Sequence, residues 1–295
     1  MILYDGRVIA MDDGRTVAEA VAFRLGRVLA IGHLDEVWGY LGSDTAIVDM
    51  DGHAATPGLV DSDFATADVG LDSLYVDLYS ARSIEEVKEA VREATASTPK
   101  GQWVRGRGLD EGALEERRPL TREDLDEAAP QHPVAIESAD CYIVVNTRAL
   151  GLAGIERGGD SILPRGGFSE KVKVLYRSYT VEEYERALRR TQAALFGLGV
   201  TARDDSKAPD AMRRASVALR ERGELKLRSR AAALALGEEW GELLGCLEVG
   251  RYADLVVWAD EPPEKSRYTG EARSPLMTVV GGEIVYEAPE EGSDG

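Results

Sequence analysis

GHAATPGLVDSDFA, residues 52–65, is the stretch on which the fold turns. An Asp51-Gly52 turn leads into Thr56-Pro57-Gly58, a breaker cluster that closes one element and opens the next. Leu59-Val60 is an apolar run too short for a helix and typical of a buried parallel strand. The run ends in Asp61-Ser62-Asp63. In α/β barrels the carboxyl ends of strands carry the chemistry, so Asp61, Asp63 and Ala65 are the first residues to weigh.

Upstream, residues 2–9 and 20–31 read as strands punctuated by Gly6, Gly14 and Gly26, with a hairpin around Leu25-Gly26. A short helix over 34–41 and a strand over 45–50 complete a small, mostly antiparallel β unit. Downstream, Ser83 with Glu86 forms a capping-box pattern before a helix whose apolar residues are Ile84, Val87, Val91 and Ala94. Pro99 and Gly101 end it. Strands are expected over 102–108 and 133–137, and short helices over 121–129 and 146–152. Thr180 and Glu183 form a second box, opening the strongest helix. Its expected buried stripe is Tyr184, Ala187, Leu188, Thr191, Ala194 and Leu195. A strand over 200–203 runs into Asp204-Asp205, a helix covers 208–222, and 225–228 starts another strand. This alternation argues for parallel βα units. Residues 253–259 and 277–286 return to β character, the second as a hairpin about Gly281-Gly282.

The 295 residues suffice for a substantial core, and 44% hydrophobic with 30% charged residues is a globular balance. No apolar run reaches the roughly 18 residues that span a bilayer. The N-terminus lacks a basic stretch followed by an apolar one, so a cytoplasmic location is expected. A net charge of −18 would repel nucleic acid and anionic membranes, which excludes both as expected partners. Lys occurs only at 88, 100, 171, 173, 207, 226 and 265, the other cations being Arg. Acid-rich, Lys-poor surfaces suit a high-salt cytoplasm, where self-repulsion is screened, so a halophilic source is expected. A GC-rich genome would also favour Arg. Cys141 and Cys246 make no disulfide framework. His33, His53 and His132 recur at no fixed interval, which narrows metal and general-base chemistry severely.

Several segments carry a resemblance. TPGLVDS at 56–62 looks like a first barrel strand, and WVRGRGLD at 103–110 matches a Trp-x-x-Gly-x-Gly-x-Asp segment. PLTREDLD at 119–126 with Pro130 and Pro133-Val134, NTRAL at 146–150 with LAGI at 152–155, and GCLEVGRYADLVV at 245–257 continue it. The chain in these segments resembles the amidohydrolase superfamily, in the amidohydrolase-3 branch that includes N-substituted formamide deformylases. That resemblance implies a β-sandwich built from both chain ends beside a metal-dependent (β/α) barrel. It also implies hydrolysis of C–N bonds by water activated on one or two divalent ions, zinc or another.

The sequence departs from the pattern in two respects. The family's first strand ends in His-x-His, where this chain has Asp63 and Ala65. Its Asp-x-His-Ser segment falls on Ala139-Asp140-Cys141-Tyr142. The match also jumps near Ser229, from an approach to a middle barrel strand to a helix preceding the C-terminal signature. The residues that would supply further ligands and the catalytic Asp are missing, and no His follows His132.

The expected architecture is therefore α/β: a small composite β-sandwich from 1–57 and 245–289, and an incomplete TIM-like barrel over 58–244. An inserted subdomain at about 68–170 and an acidic tail at 290–295 complete it. The expected function is that of an amidohydrolase-like protein whose metal-dependent activity is lost or reduced. The alternatives are a ligand- or partner-binding pseudoenzyme and a hydrolase with a rebuilt Asp-based site. No cofactor is expected. Asp61, Asp63, Asp204 and Asp205 are candidate ligands of Mg²⁺ or Ca²⁺, though solvated acids in an acid-rich protein are the simpler reading. Asn146, Trp103 and Asp110 are the substrate-site candidates that the resemblance implies. Trp103 and Trp258 read more simply as packing, and Cys141 as a structural thiol. Partners would be a small-molecule ligand, a second copy, or a full-length paralogue.

Overall fold

The computed structural model describes residues 1–62, 67–139, 142–155, 162–163, 172, 174–237, 240–259 and 274–289. The chain falls into two units, residues 1–70 with 184–295, and residues 71–183. In chain order the strands are β1 (Ile2–Tyr4), β2 (Arg7–Ile9), β3 (Val17–Ala18), β4 (Ala20–Arg24), β5 (Arg27–Gly32), β6 (Ile47–Asp49), β7 (Ala54–Pro57) and β8 (Leu59–Asp61). They continue as β9 (Tyr75–Asp77), β10 (Val104–Leu109), β11 (Val134–Ser138), β12 (Ile143–Val145), β13 (Ile162–Leu163) and β14 (Val200–Arg203). The last are β15 (Arg228–Ser229), β16 (Leu255–Trp258), β17 (Pro275–Val280) and β18 (Glu283–Glu287).

The first unit holds three sheets, ordered β5-β4-β1-β6, β18-β17-β16-β7-β2-β3 and β15-β14-β8. The six-stranded sheet joins both halves of the sequence, because β16 pairs with β7. Alternating apolar residues on two of these sheets make one core: Leu3, Val21, Phe23 and Val28 cluster with Val8, Ala55, Leu255, Val257 and Val279. Buried Trp258 sits in β16, its indole N–H donating to the Thr56 hydroxyl at 2.9 Å. Both expected hairpins form. Leu25 and Gly26 take φ of 52° and 76°, and Gly281 and Gly282 take 60° and 74°, the doubly left-handed geometry that matches strand twist.

The third sheet is the short parallel one. β14 lies between β8 and β15, so Asp204 and Asp205 do follow a strand neighbouring that of Asp61. Gly58 permits the approach: a Cβ there would lie 2.7 Å from Thr201 Cβ. Gly58→Ala is accordingly expected to cost about 1–3 kcal/mol by overpacking, read as a lower urea midpoint at unchanged slope. The buried-strand reading of Leu59 and Val60 needs correction, since they are 37% and 43% exposed. Among the described residues β8 is an edge strand with β14 on one side only, and an edge strand lacks the cover that buries both faces. Among the described residues no barrel closes.

In the helix Val181–Phe196 the buried positions include Tyr184, Ala187, Leu188, Thr191 and Leu195, as the spacing predicts, but Ala194 is exposed and Phe196 is buried.

The second unit carries the sheet β13-β12-β11-β10-β9, with β9, β10 and β11 parallel and β12 antiparallel to β11. The helices Ile84–Ser97 and Arg122–Ala128 bury Ile84, Val87, Val91, Leu125 and Ala128 with Val104 and Ile136 of the sheet. The first capping box forms by half. Ser83 Oγ accepts from the Glu86 N–H at 3.2 Å, but the Glu86 carboxylate turns to the Arg82 N–H, and Glu116 accepts from Ile84 N–H.

At the second helix the box is complete between Thr121 and Asp124. The Arg118 guanidinium donates to both Asp124 oxygens at 2.7 and 2.8 Å and, with Thr121, holds that carboxyl well below the usual range. A depressed folded-state pKa stabilises above the unfolded value of about 4, and the contribution vanishes as pH falls through the folded value. Asp124→Asn should therefore destabilise most at neutral pH, and the gap should narrow as urea melts are taken from about pH 7 to about pH 3.

Candidate functional site

In the first unit the three parallel strands end in one row. Asp61 of β8 and Ser229 of β15 both lie in register with Arg203 of β14. Hydrogen bonding continues past the row, with Asp204 N–H donating to the Asp61 carbonyl at 2.8 Å. Chain polarity and strand pairing thus bring Asp61, Asp204 and Asp205 to one edge.

Their side chains are in very different states. Asp205 is 2% exposed, and its Oδ2 accepts from Arg203 Nη2 at 2.8 Å and from the Ser229 hydroxyl at 2.7 Å. Its Oδ1 accepts from Ala231 N–H at 2.8 Å, while Ser229 Oγ accepts from Ala232 N–H at 3.2 Å. One carboxylate therefore neutralises an arginine and helps cap the helix Arg230–Ala235. Arg203 is 3% exposed, and Nη2 also reaches Ser216 Oγ at 3.3 Å. Its Nε and Nη1 are buried without hydrogen-bond partners among the described residues. Burial pulls this guanidinium below its ordinary value, against the Asp205 and Asp61 charges that favour the cation. Asp204 turns outward to the Ser206 N–H at 3.1 Å and to Arg230 at 2.6 Å. Chiefly through Ser206, and then Arg230, its carboxyl is held below the usual range.

A divalent metal fits this edge poorly. Hard cations need several free oxygen donors, and both oxygens of Asp205 are already accepting hydrogen bonds, beside a fixed guanidinium charge. Among the described residues no group of three or more His, Cys, Asp or Glu is placed to hold a metal ion. His33 instead stands by Glu19 at 3.5 Å, and His132 Nδ1 lies 3.1 Å from the Gln102 carbonyl in the second unit. Asp63, Ala65, Asp140 and Cys141 lie outside the described residues.

The substrate-site candidates all fall in the second unit. Asn146 is wholly buried. Its Oδ1 accepts from Val134 N–H at 3.1 Å and Ala149 N–H at 3.0 Å, and its Nδ2 donates to the His132 carbonyl at 2.8 Å. The amide caps the helix Thr147–Leu152 and ties it to β11. Asn146→Ala would strand several buried backbone groups and is expected to cost about 3 kcal/mol in a urea melt. Trp103 packs on Tyr176, ring centroids 6.2 Å apart, at the edge of a cluster with Val145 and Leu150. Exposed Asp110 accepts from Gly112 N–H at 3.0 Å and caps a 3-10 turn over Glu111–Ala113. Among the described residues these three side chains hold turns and packing.

Sequence reasoning passed over Arg203 and Ser229. The available signal was a charged residue at the last position of an otherwise apolar strand, followed by two acids.

The fold and site can be set beside known proteins. Residues 46–222, more than half the chain, match the model of the amidohydrolase family. The N-substituted formamide deformylase of Arthrobacter pascens is 30% identical over 174 residues, covering 58% of this chain and 32% of that enzyme. An uncharacterized metal-dependent hydrolase from Pyrococcus horikoshii OT3 superposes with a TM-score of 0.62 at 25% identity, over 77% of this chain and 47% of that one. A second, from Pyrococcus furiosus, gives 0.65 at 23% identity, over 77% and 48%. The chain spans about a third of the length of the curated relatives it matches. The family match, the motifs at 56–62 and 103–110 and the parallel strand ends agree: the chain belongs to the amidohydrolase family.

Proposed function

We propose that this chain is a relative of enzymes that hydrolyse non-peptide C–N bonds, in which the metal-dependent reaction is lost or strongly reduced and ligand or partner binding remains. The observation carrying this reading is the Arg203–Asp205 pair. At the carboxyl edge of its parallel strands this chain places a guanidinium and commits the neighbouring carboxylate to it. The chemistry a metal would supply, polarising a carbonyl and lowering the pKa of water, has no matching donor set among the described residues.

The test is metal analysis of purified protein with an assay of formate release from an N-substituted formamide. No stoichiometric zinc and no zinc-dependent turnover are expected. Tightly bound zinc with turnover would overturn the reading in favour of a rebuilt Asp-based hydrolase, for which the shared edge of Asp61, Asp204 and Asp205 is the supporting observation.

The same reading includes a composite β-sandwich over 1–57 and 245–289 and an incomplete barrel over 58–244 with an insertion at about 68–170. The strands of both chain ends in one sheet support the former. It also includes self-association or pairing with a full-length paralogue, a cytoplasmic location and a halophilic source. The last is supported by the charge of −18 and predicts that a urea melt loses stability as salt drops below physiological strength.

A further inference from the structure

The first unit contains a cleft of about 560 Å³, within the size range of small-molecule sites, whose charge runs against that of the chain. The protein carries −18 overall, yet Arg27, Arg220, Lys226 and Arg228 line this cleft, and among the described residues Glu283 is the one carboxylate on its wall. It lies between the β4–β5 hairpin, the β17–β18 hairpin and the segment leading into β15, which is the amino end of that strand. The Asp205 cluster follows the carboxyl end.

Arg228 and Arg27 are held in place. The Arg228 side chain is 9% exposed and pairs with Asp254 through Nε at 2.5 Å and Nη2 at 2.8 Å. Asp254 is fixed in turn by the Gly281 N–H at 2.8 Å. The Arg228 guanidinium carbon stands 3.5 Å from the centroid of the Tyr252 ring, and that of Arg27 stands 4.3 Å from the same centroid. Arg27 also donates to the Gly250 carbonyl at 3.3 Å, so both of those contacts are neutral groups and its charge stays available. Lys226 pairs with Glu283 at 2.8 Å across the wall, both partly exposed and exchangeable for a stronger anion. Leu25, Leu243 and Val280 give the cleft an apolar side.

We propose that this cleft binds a phosphate group, as the head of a small organic monoester. The Arg27 guanidinium, stacked on Tyr252, and the half-exposed Lys226 ammonium match a phosphate dianion, with Arg228 committed to Asp254, and the apolar side would take the organic body. The proposal does not depend on whether the chain retains hydrolysis.

Isothermal titration of the full chain with phenyl phosphate, inorganic phosphate and benzoate tests it, at an ionic strength of about 0.15 M. Phenyl phosphate should saturate with a Kd of about 1 mM or below, inorganic phosphate more weakly, and benzoate more weakly still. Arg27→Gln should reduce phenyl phosphate affinity about tenfold. Lys226→Gln, at a half-exposed position whose ammonium pairs with the exposed Glu283 of β18, should reduce it severalfold, and a thermal melt checks that each variant is folded. Absence of saturable binding, benzoate equal to phenyl phosphate, or affinity unchanged in folded Arg27→Gln and Lys226→Gln would each overturn the proposal.

Discussion

Asp205→Ala is expected to cost the protein about 3–5 kcal/mol, the range for breaking one side of a buried ion pair. Three groups lose their acceptor at once: Arg203 Nη2, the Ser229 hydroxyl and the Ala231 N–H. The largest part of the loss is the stranded charge, because Arg203 already has two buried nitrogens without partners among the described residues. The discriminating variant is the double replacement Arg203→Met with Asp205→Ala. Removing both partners should restore much of the loss, since a buried pair gains little over apolar side chains of similar volume. Urea melts followed by circular dichroism measure both. If the double variant is no better than Asp205→Ala, the carboxylate matters mainly as the cap of the helix Arg230–Ala235.

The second large effect is expected at Glu183, in the other unit. Arg105 and Glu183 are 2% and 3% exposed and pair at 2.5 Å. Arg105 Nε also donates to the Tyr176 carbonyl, and its guanidinium lies 4.5 Å from the centroid of the Tyr179 ring. Glu183 has a second duty: its Oε2 accepts from Thr180 N–H at 2.8 Å while Thr180 Oγ1 accepts from Glu183 N–H at 3.2 Å. Glu183→Ala removes the counter-charge of a buried arginine and half of a capping box together. A loss of about 3–5 kcal/mol should follow. Hydrogen exchange of β10 and β11 amides should accelerate if the pair anchors that sheet, and unchanged protection would place the loss elsewhere.

The two pairs show different degrees of legibility. Thr180 and Glu183 stand three residues apart ahead of an apolar stripe, so the cap was readable, being a local bond between neighbours. Its partner Arg105 is 78 positions away and was not. The hairpin turns at Leu25-Gly26 and Gly281-Gly282 were readable for the same local reason, as was the half-formed cap at Ser83. The exposure of Leu59 and Val60 was not, because burial of a strand depends on how many neighbours it gains, and β8 gains one. Asn146 shows the two effects in one residue. Its place in a motif was visible, while the four backbone groups its amide ties down were visible only once folded.

Residues 52–65 illustrate the same division. By itself the sequence determined the turn at Asp51-Gly52, the break at Pro57-Gly58, the short strand after it, and the family to which that order belongs. These are properties of neighbouring residues and of spacing. Only the tertiary structure decided what the acids beyond the strands do. Parallel pairing set Asp61, Arg203 and Ser229 in one row, and burial then required the arginine carried into it to find a counter-charge. Asp205 meets that requirement, and a carboxylate so engaged is a poor donor to a metal ion.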